Sequence, residues 1–206
     1  VRLNVILLAC AATIAAASPL SAAPLARSGS YDALTLAVVD DAIGGTFYDA
    51  RGRGPGGEPQ FTCIFMLRGK LDGNSAKIDT WVPGEKEHIA GELIFEEDDA
   101  KIKLTEDHGG CLATDGDMVH QFYKAIFEKE ATGWLGVAMV SAARAPFRPA
   151  PGTPAPRKPY VVRYDPLVIL ARRGDWLRVR YLFGSKPITG WMRRKELAIA
   201  GPLARP

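Results

Sequence analysis

Short runs of alternating apolar and polar residues, punctuated by Gly, Asp and Pro, recur along this chain and restrict it to antiparallel β structure. In Phe61–Leu67, the residues Phe61, Cys63, Phe65 and Leu67 fall on one face by period two. Ile102 and Leu104 alternate with Lys101 and Lys103, the pattern of a strand with one wet face. Lys77–Val82 and Ile89–Phe95 supply further strands, and Thr46–Tyr48 follows the Gly44-Gly45 pair. Glu96–Asp99 reads as an acidic turn, and Gln121–Glu128 fits either a strand or a short helix. Arg51–Pro59, with Gly52, Gly54, Gly56 and Gly57, is expected to be a mobile loop. The 47% hydrophobic and 24% charged residues exclude a disordered tail, a collagen-like repeat and a multi-span membrane protein.

Residues 1–23 stand apart as a signal peptide. Arg2 supplies a positive start, and Val5–Ala17 is an apolar run too short to span a bilayer. Pro19 breaks it, and Ser21-Ala22-Ala23 offers small residues for cleavage near Ala23. The expected location is periplasmic or secreted, with no transmembrane segment in the mature chain. Cys10 lies in a Leu-Leu-Ala-Cys box, but the apolar run continues past it, which argues against lipidation. Cys63 and Cys111 then remain, and an even pair in an oxidising compartment reads as one disulfide closing a loop of 48 residues. The alternative is a catalytic cysteine beside His108 in Asp107-His108-Gly109-Gly110-Cys111.

Charge divides the rest. Residues 24–136 carry 11 Lys or Arg against 20 Asp or Glu, whereas 137–206 carry 14 against 3. A formal net charge of +3 therefore hides an acidic half and a basic half. Either the halves attract and dock, or each meets its own partner. The domain reading follows this split: an acidic antiparallel β domain over 24–136 and a basic β domain over 137–206.

The basic half has a legible order. A strand over Val137–Ala143 precedes a Pro-rich loop over Ala145–Pro159, then Tyr160–Tyr164 and Leu167–Ala171 follow. Ala145-Pro146-Phe147-Arg148, Val168-Ile169-Leu170, Gly174-Asp175-Trp176, and Gly190-Trp191 before Leu197 complete the pattern. These residues resemble the bacterial SH3-like domain, over roughly 60 residues. The resemblance implies a small SH3-like β-barrel with aromatic residues set between its first long loop and the Trp176 strand. The loop departs from the family in its prolines: Pro146, Pro149, Pro151, Pro154, Pro156 and Pro159. Period two puts Leu177, Val179 and Tyr181 on the core face, and Trp176, Arg178 and Arg180 on the other. The candidate ligand-binding residues are accordingly Trp176, Arg178, Arg180, Phe147 and Tyr164. Trp191 is read as core.

Other chemistry is not marked. The Gly52–Gly57 run has no Gly-Lys-Ser/Thr, and Asp115-Gly116-Asp117 lacks the twelve-residue calcium loop. No Gly-x-Ser-x-Gly elbow is present, and His88 and His120 are isolated from any metal-ligand spacing. No catalytic residue, cofactor or metal is expected. Export argues against nucleic acid as the partner of the basic half. The expected function is a non-catalytic envelope-binding protein contacting peptidoglycan, its stem peptides or an envelope protein. The alternative is a periplasmic inhibitor or immunity protein whose acidic domain blocks a basic cell-wall hydrolase.

Overall fold

The computed structural model describes residues 26–97, 99–131, 133–183, 186–201 and 203. The expected signal peptide and Cys10 lie outside these residues. The chain is mostly β, as the alternation requires. β1 (Gly29–Tyr31), β2 (Leu34–Val39), β3 (Ala42–Arg51), β4 (Phe61–Asp72), β5 (Ser75–Trp81), β6 (Ile89–Glu96) and β7 (Asp99–Leu104) form a meander of antiparallel neighbours. A connection carrying the one-turn helix α1 (Cys111–Thr114) leads to β8 (Tyr123–Ala125) and β9 (Phe127–Glu130). β8 pairs with β7 and β9 pairs with β1, so the nine-stranded sheet curls into a nearly closed barrel. The stretch that fitted either strand or helix is thus two short strands. The break falls at Ile126, whose N–H donates to Asp32 Oδ2 at 2.7 Å.

The barrel interior is solid. Cys63, Phe65 and Leu67 are fully buried, while Phe61, at the start of β4, is 49% exposed. Phe47 and Phe65 stack with ring centroids 4.8 Å apart, and Tyr31 meets Phe95 and Phe127 edge-on. Cys63 of β4 is bonded to Cys111, so the β7–β8 connection is tied across one end of the barrel.

The basic half forms β10 (Gly136–Val140), β11 (Arg144–Pro146), β12 (Tyr160–Val162), β13 (Pro166–Arg173), β14 (Trp176–Tyr181) and β15 (Ile188–Arg193). The 3₁₀ turn η1 (Arg194–Glu196) and β16 (Leu197–Ala200) follow. Five strands make a sheet in the order β15-β14-β13-β10-β16, and β11 pairs with β12 as a separate hairpin. Leu177 and Val179 are buried as their period predicts, with Tyr181 half-buried beside them.

The two halves dock through apolar surface. Every residue of β10 is buried. Ala138 and Val140 enter the core of the second unit, while Val137 and Met139 pack with Ala37, Met66, Val168 and Ala200 between the units. A strand covered on both faces reads as an unbroken apolar run, which is how Gly136–Val140 reads. Gly44 on β3 is needed here: a Cβ would collide with the carbonyl oxygen of Ala200. Ion pairs such as Arg68–Asp79, Lys124–Asp99 and Arg148–Glu196 each lie within one half. The contact between halves is therefore built from side-chain packing despite their opposite charge.

Candidate functional site

The outer face of β14 and β15 brings Trp176, Arg178 and Arg180 together with Trp191 and Arg193. The register pairs Trp176 with Arg193, Arg178 with Trp191 and Arg180 with Thr189. Directly opposed residues share a face, so each Trp on it lies opposite an Arg of the other strand. The Arg193 guanidinium lies 4.7 Å from the Trp176 ring centroid, and Arg148 lies 5.3 Å from it. Such contacts contribute about 0.5–1 kcal/mol at exposed sites and hold the indole in place. Arg180 Nε donates to Thr189 Oγ1 at 3.2 Å. Arg178, Arg194 and Lys195 are exposed and have no carboxylate partner among the described residues. A cleft of about 570 Å³ adjoins this face, lined by Asp175, Arg193, Arg194, Lys195, Leu197 and Ile199.

A buried clasp fixes the end of the face. Arg148 is 7% exposed, and its two terminal nitrogens donate to Glu196 Oε2 and Oε1 at 3.0 and 3.1 Å. Glu196 Oε2 also accepts the Arg193 N–H at 2.7 Å. Backbone hydrogen bonds in both directions join Arg148 to Trp191, at 3.0 and 2.8 Å. The charge of Arg148 is thereby neutralised within the fold, whereas Arg178, Arg180, Arg193, Arg194 and Lys195 have no carboxylate partner among the described residues.

The structure brings together three of the five candidate residues, Trp176, Arg178 and Arg180. Phe147 is 4% exposed and sits in the core, with its Cβ against Gly190. It supports the face from beneath and presents no surface to a ligand. Tyr164, in the left-handed region at φ 74°, lies in a separate groove of about 260 Å³ between the halves. Trp191 departs from its reading as core. Gly190 and Met192 point inward on β15, so Trp191 stands half-buried on the face of Arg178. Glu196 completes this arrangement without standing out as a site residue in the sequence. Its signal is that it is one of only three acids in 137–206, placed directly after Arg193-Arg194-Lys195.

The groove of Tyr164 also holds Glu85, Glu87, Asp107 and His108. His108 is buried and stacks on Phe65 at 4.8 Å. The Thr80 hydroxyl donates to the Ile89 carbonyl and so accepts from His108 Nε2–H, 2.8 Å away. Burial pushes the imidazole down to about 4, so it is neutral at physiological pH. Cys111 is held in the disulfide with Cys63, which removes the thiolate that a Cys–His nucleophile needs. Among the described residues no three His, Cys, Asp or Glu are placed to hold a metal ion. No helix among them is long and apolar enough to cross a membrane. Compared with known proteins, the chain matches no family model, no curated protein and no solved structure.

Proposed function

We propose that this is an exported, non-catalytic envelope-binding protein, whose basic half contacts peptidoglycan, its stem peptides or an envelope protein. The observation that carries this reading is the Trp–Arg face of β14 and β15, where Arg178 stands without a carboxylate partner beside Trp176, next to the equally unpaired Arg194 and Lys195 of η1. Arginine presents a planar fork that matches a carboxylate in two-point geometry, and an indole offers a flat apolar platform. Stem peptides carry carboxylates on a short extended chain, which suits both. The SH3-like resemblance and the export signal in residues 1–23 support the same assignment, and the disulfide is compatible with an oxidising compartment.

A second reading rests on a different surface. Glu85, Glu87 and Asp107 line the groove between the halves and have no cation partner among the described residues. This favours a cationic partner for the acidic half, such as a basic hydrolase that the protein inhibits.

Pelleting with isolated sacculi at low and moderate salt tests the first reading. Binding is expected to survive moderate salt and to fall roughly tenfold in Trp176→Ala, the scale of a lost interface anchor. Binding that vanishes with salt would reduce it to charge attraction alone. No binding at either salt would sink this reading and leave hydrolase inhibition as the one to assay.

A further inference from the structure

The connection between β7 and β8 plugs one end of the barrel, and three of its residues hold it there. Cys111 is bonded to Cys63, and His108 is packed on Phe65 and bonded to Thr80. The third is Asp115, at the C-terminal end of α1, whose N–H donates to the Cys111 carbonyl at 2.8 Å. Its Oδ2 accepts the Thr114 hydroxyl at 2.6 Å. Its Oδ1 is out of contact with solvent and receives no donor from any N–H or hydroxyl. The carboxyl of Asp49 on β3 lies within hydrogen-bonding reach of the Asp115 carboxyl. Two carboxylates in contact repel, and a buried acceptor without a donor is costly. One proton between them removes both penalties.

The surroundings decide which acid carries it. Asp49 is well supplied as an anion: Oδ1 accepts the Ala50 N–H at 2.7 Å and Oδ2 accepts Arg51 Nε at 2.8 Å. Asp115 has only the Thr114 hydroxyl. The proton therefore belongs on Asp115. We propose that this proton, held between Asp115 and Asp49, latches the plug, and that its loss loosens the α1 segment from β3.

Burial, and then the neighbouring Asp49, push the Asp115 carboxyl up to about 6, with the Thr114 hydroxyl and Arg51 acting the other way. The other titratable groups facing the pair are Tyr123 on β8, pushed up to about 12 by burial, Tyr48 on β3, and Asp32 in the β1–β2 turn. Within the plug, burial raises Asp107, and hydrogen bonds from His120 lower Asp117. The stretch of β4 beside α1, Phe61–Ile64, brings no ionisable group besides the bonded Cys63. A pocket of about 410 Å³ over Asp49 gives the proton a route to solvent.

An acid whose pKa is raised on folding stabilises the fold below its unfolded value and loses that contribution as pH rises through the folded value. The latch is closed in mild acid and opens as pH passes about 6. His108 has the opposite sign: its contribution is present above its ordinary value of 6.5 and is lost as pH falls toward about 4. Between these limits global unfolding takes a proton off Asp115 and puts one on His108. These two contributions offset each other in a global measurement, so a local one is needed to see the latch.

Hydrogen–deuterium exchange on the full, oxidised chain at pH 5 and 7.5, corrected for intrinsic exchange, makes that measurement. The Ala113 and Asp115 amides donate to the Gly110 and Cys111 carbonyls. Their protection is expected to drop roughly tenfold at the higher pH, the factor that one pKa unit supplies. Amides of β13 and β14 are expected to stay unchanged. Asp115→Asn donates to Asp49 at either pH and should abolish the drop. Asp49→Asn, which donates to Asp115 instead, should do the same and serves if the first variant folds poorly. Equal protection at both pH values in the unaltered chain overturns the latch, as does an undiminished drop in a folded variant.

Discussion

In the first barrel, β8 and β9 follow each other in the chain and occupy opposite ends of the sheet, so the meander nearly closes itself. In the second unit, β15 and β16 remain as two open edges of a five-stranded sheet. The first unit fills its interior with aromatic rings, among them Tyr31, Phe47, Phe65 and Phe95. The second has a smaller, largely aliphatic core. Each uses one strong cross-link, and the kinds differ. The Cys63–Cys111 bond tethers the β7–β8 connection to the barrel. The Arg148–Glu196 clasp holds the Phe147 segment against β15, where the backbone bridge from Arg148 to Trp191 covers an edge. A closed sheet satisfies its own backbone, whereas an open edge needs other groups to do so.

The largest expected effect is in the second unit. Arg148→Ala leaves Glu196 buried without its cation and should cost about 3–5 kcal/mol in urea denaturation. Arg148→Met combined with Glu196→Leu should recover most of that loss, because a buried pair replaced by apolar groups is often neutral. No recovery would mean that the clasp orders the edge by more than removing an unpaired charge. Cys63→Ser with Cys111→Ser should cost roughly 3–4 kcal/mol through the freed loop, with the strand amides of the barrel still protected. Loss of that protection would erase the contrast and make the staple part of the barrel's core. Gly44→Ala should cost about 1–3 kcal/mol by pushing Ala200 away from β3. It should also separate the unfolding of the two units into distinct steps. A single unchanged transition would show that the halves tolerate a looser contact.

Much of this was legible along the chain. Cys63, Phe65 and Leu67 announce an inward face because strand side chains alternate, and that rule holds whatever lies opposite. The pairing of Cys63 with Cys111 follows from there being two candidates, and the structure shows it. The same alternation set Trp176, Arg178 and Arg180 on the outer side of their strand. Phe147 and Trp191 were harder. An aromatic residue beside a loop serves equally as core or as platform, and only the inward turn of Gly190 and Met192 decides between them. The acid pair was invisible for a related reason. Asp49 and Asp115 are far apart in the chain, and nothing local distinguishes either from the other surface acids.

Local chemistry therefore decided the strands, their wet and dry faces, the division of charge and the disulfide, because each depends on residue type and spacing over a few positions. Register and docking decided the rest. They stacked Arg193 on Trp176, placed Glu196 under Arg148 and brought the carboxyl of Asp115 against Asp49. They also turned two oppositely charged halves into one apolar contact around Met66 and Met139. Each of these depends on which strands become neighbours, and that is a property of the whole packed chain.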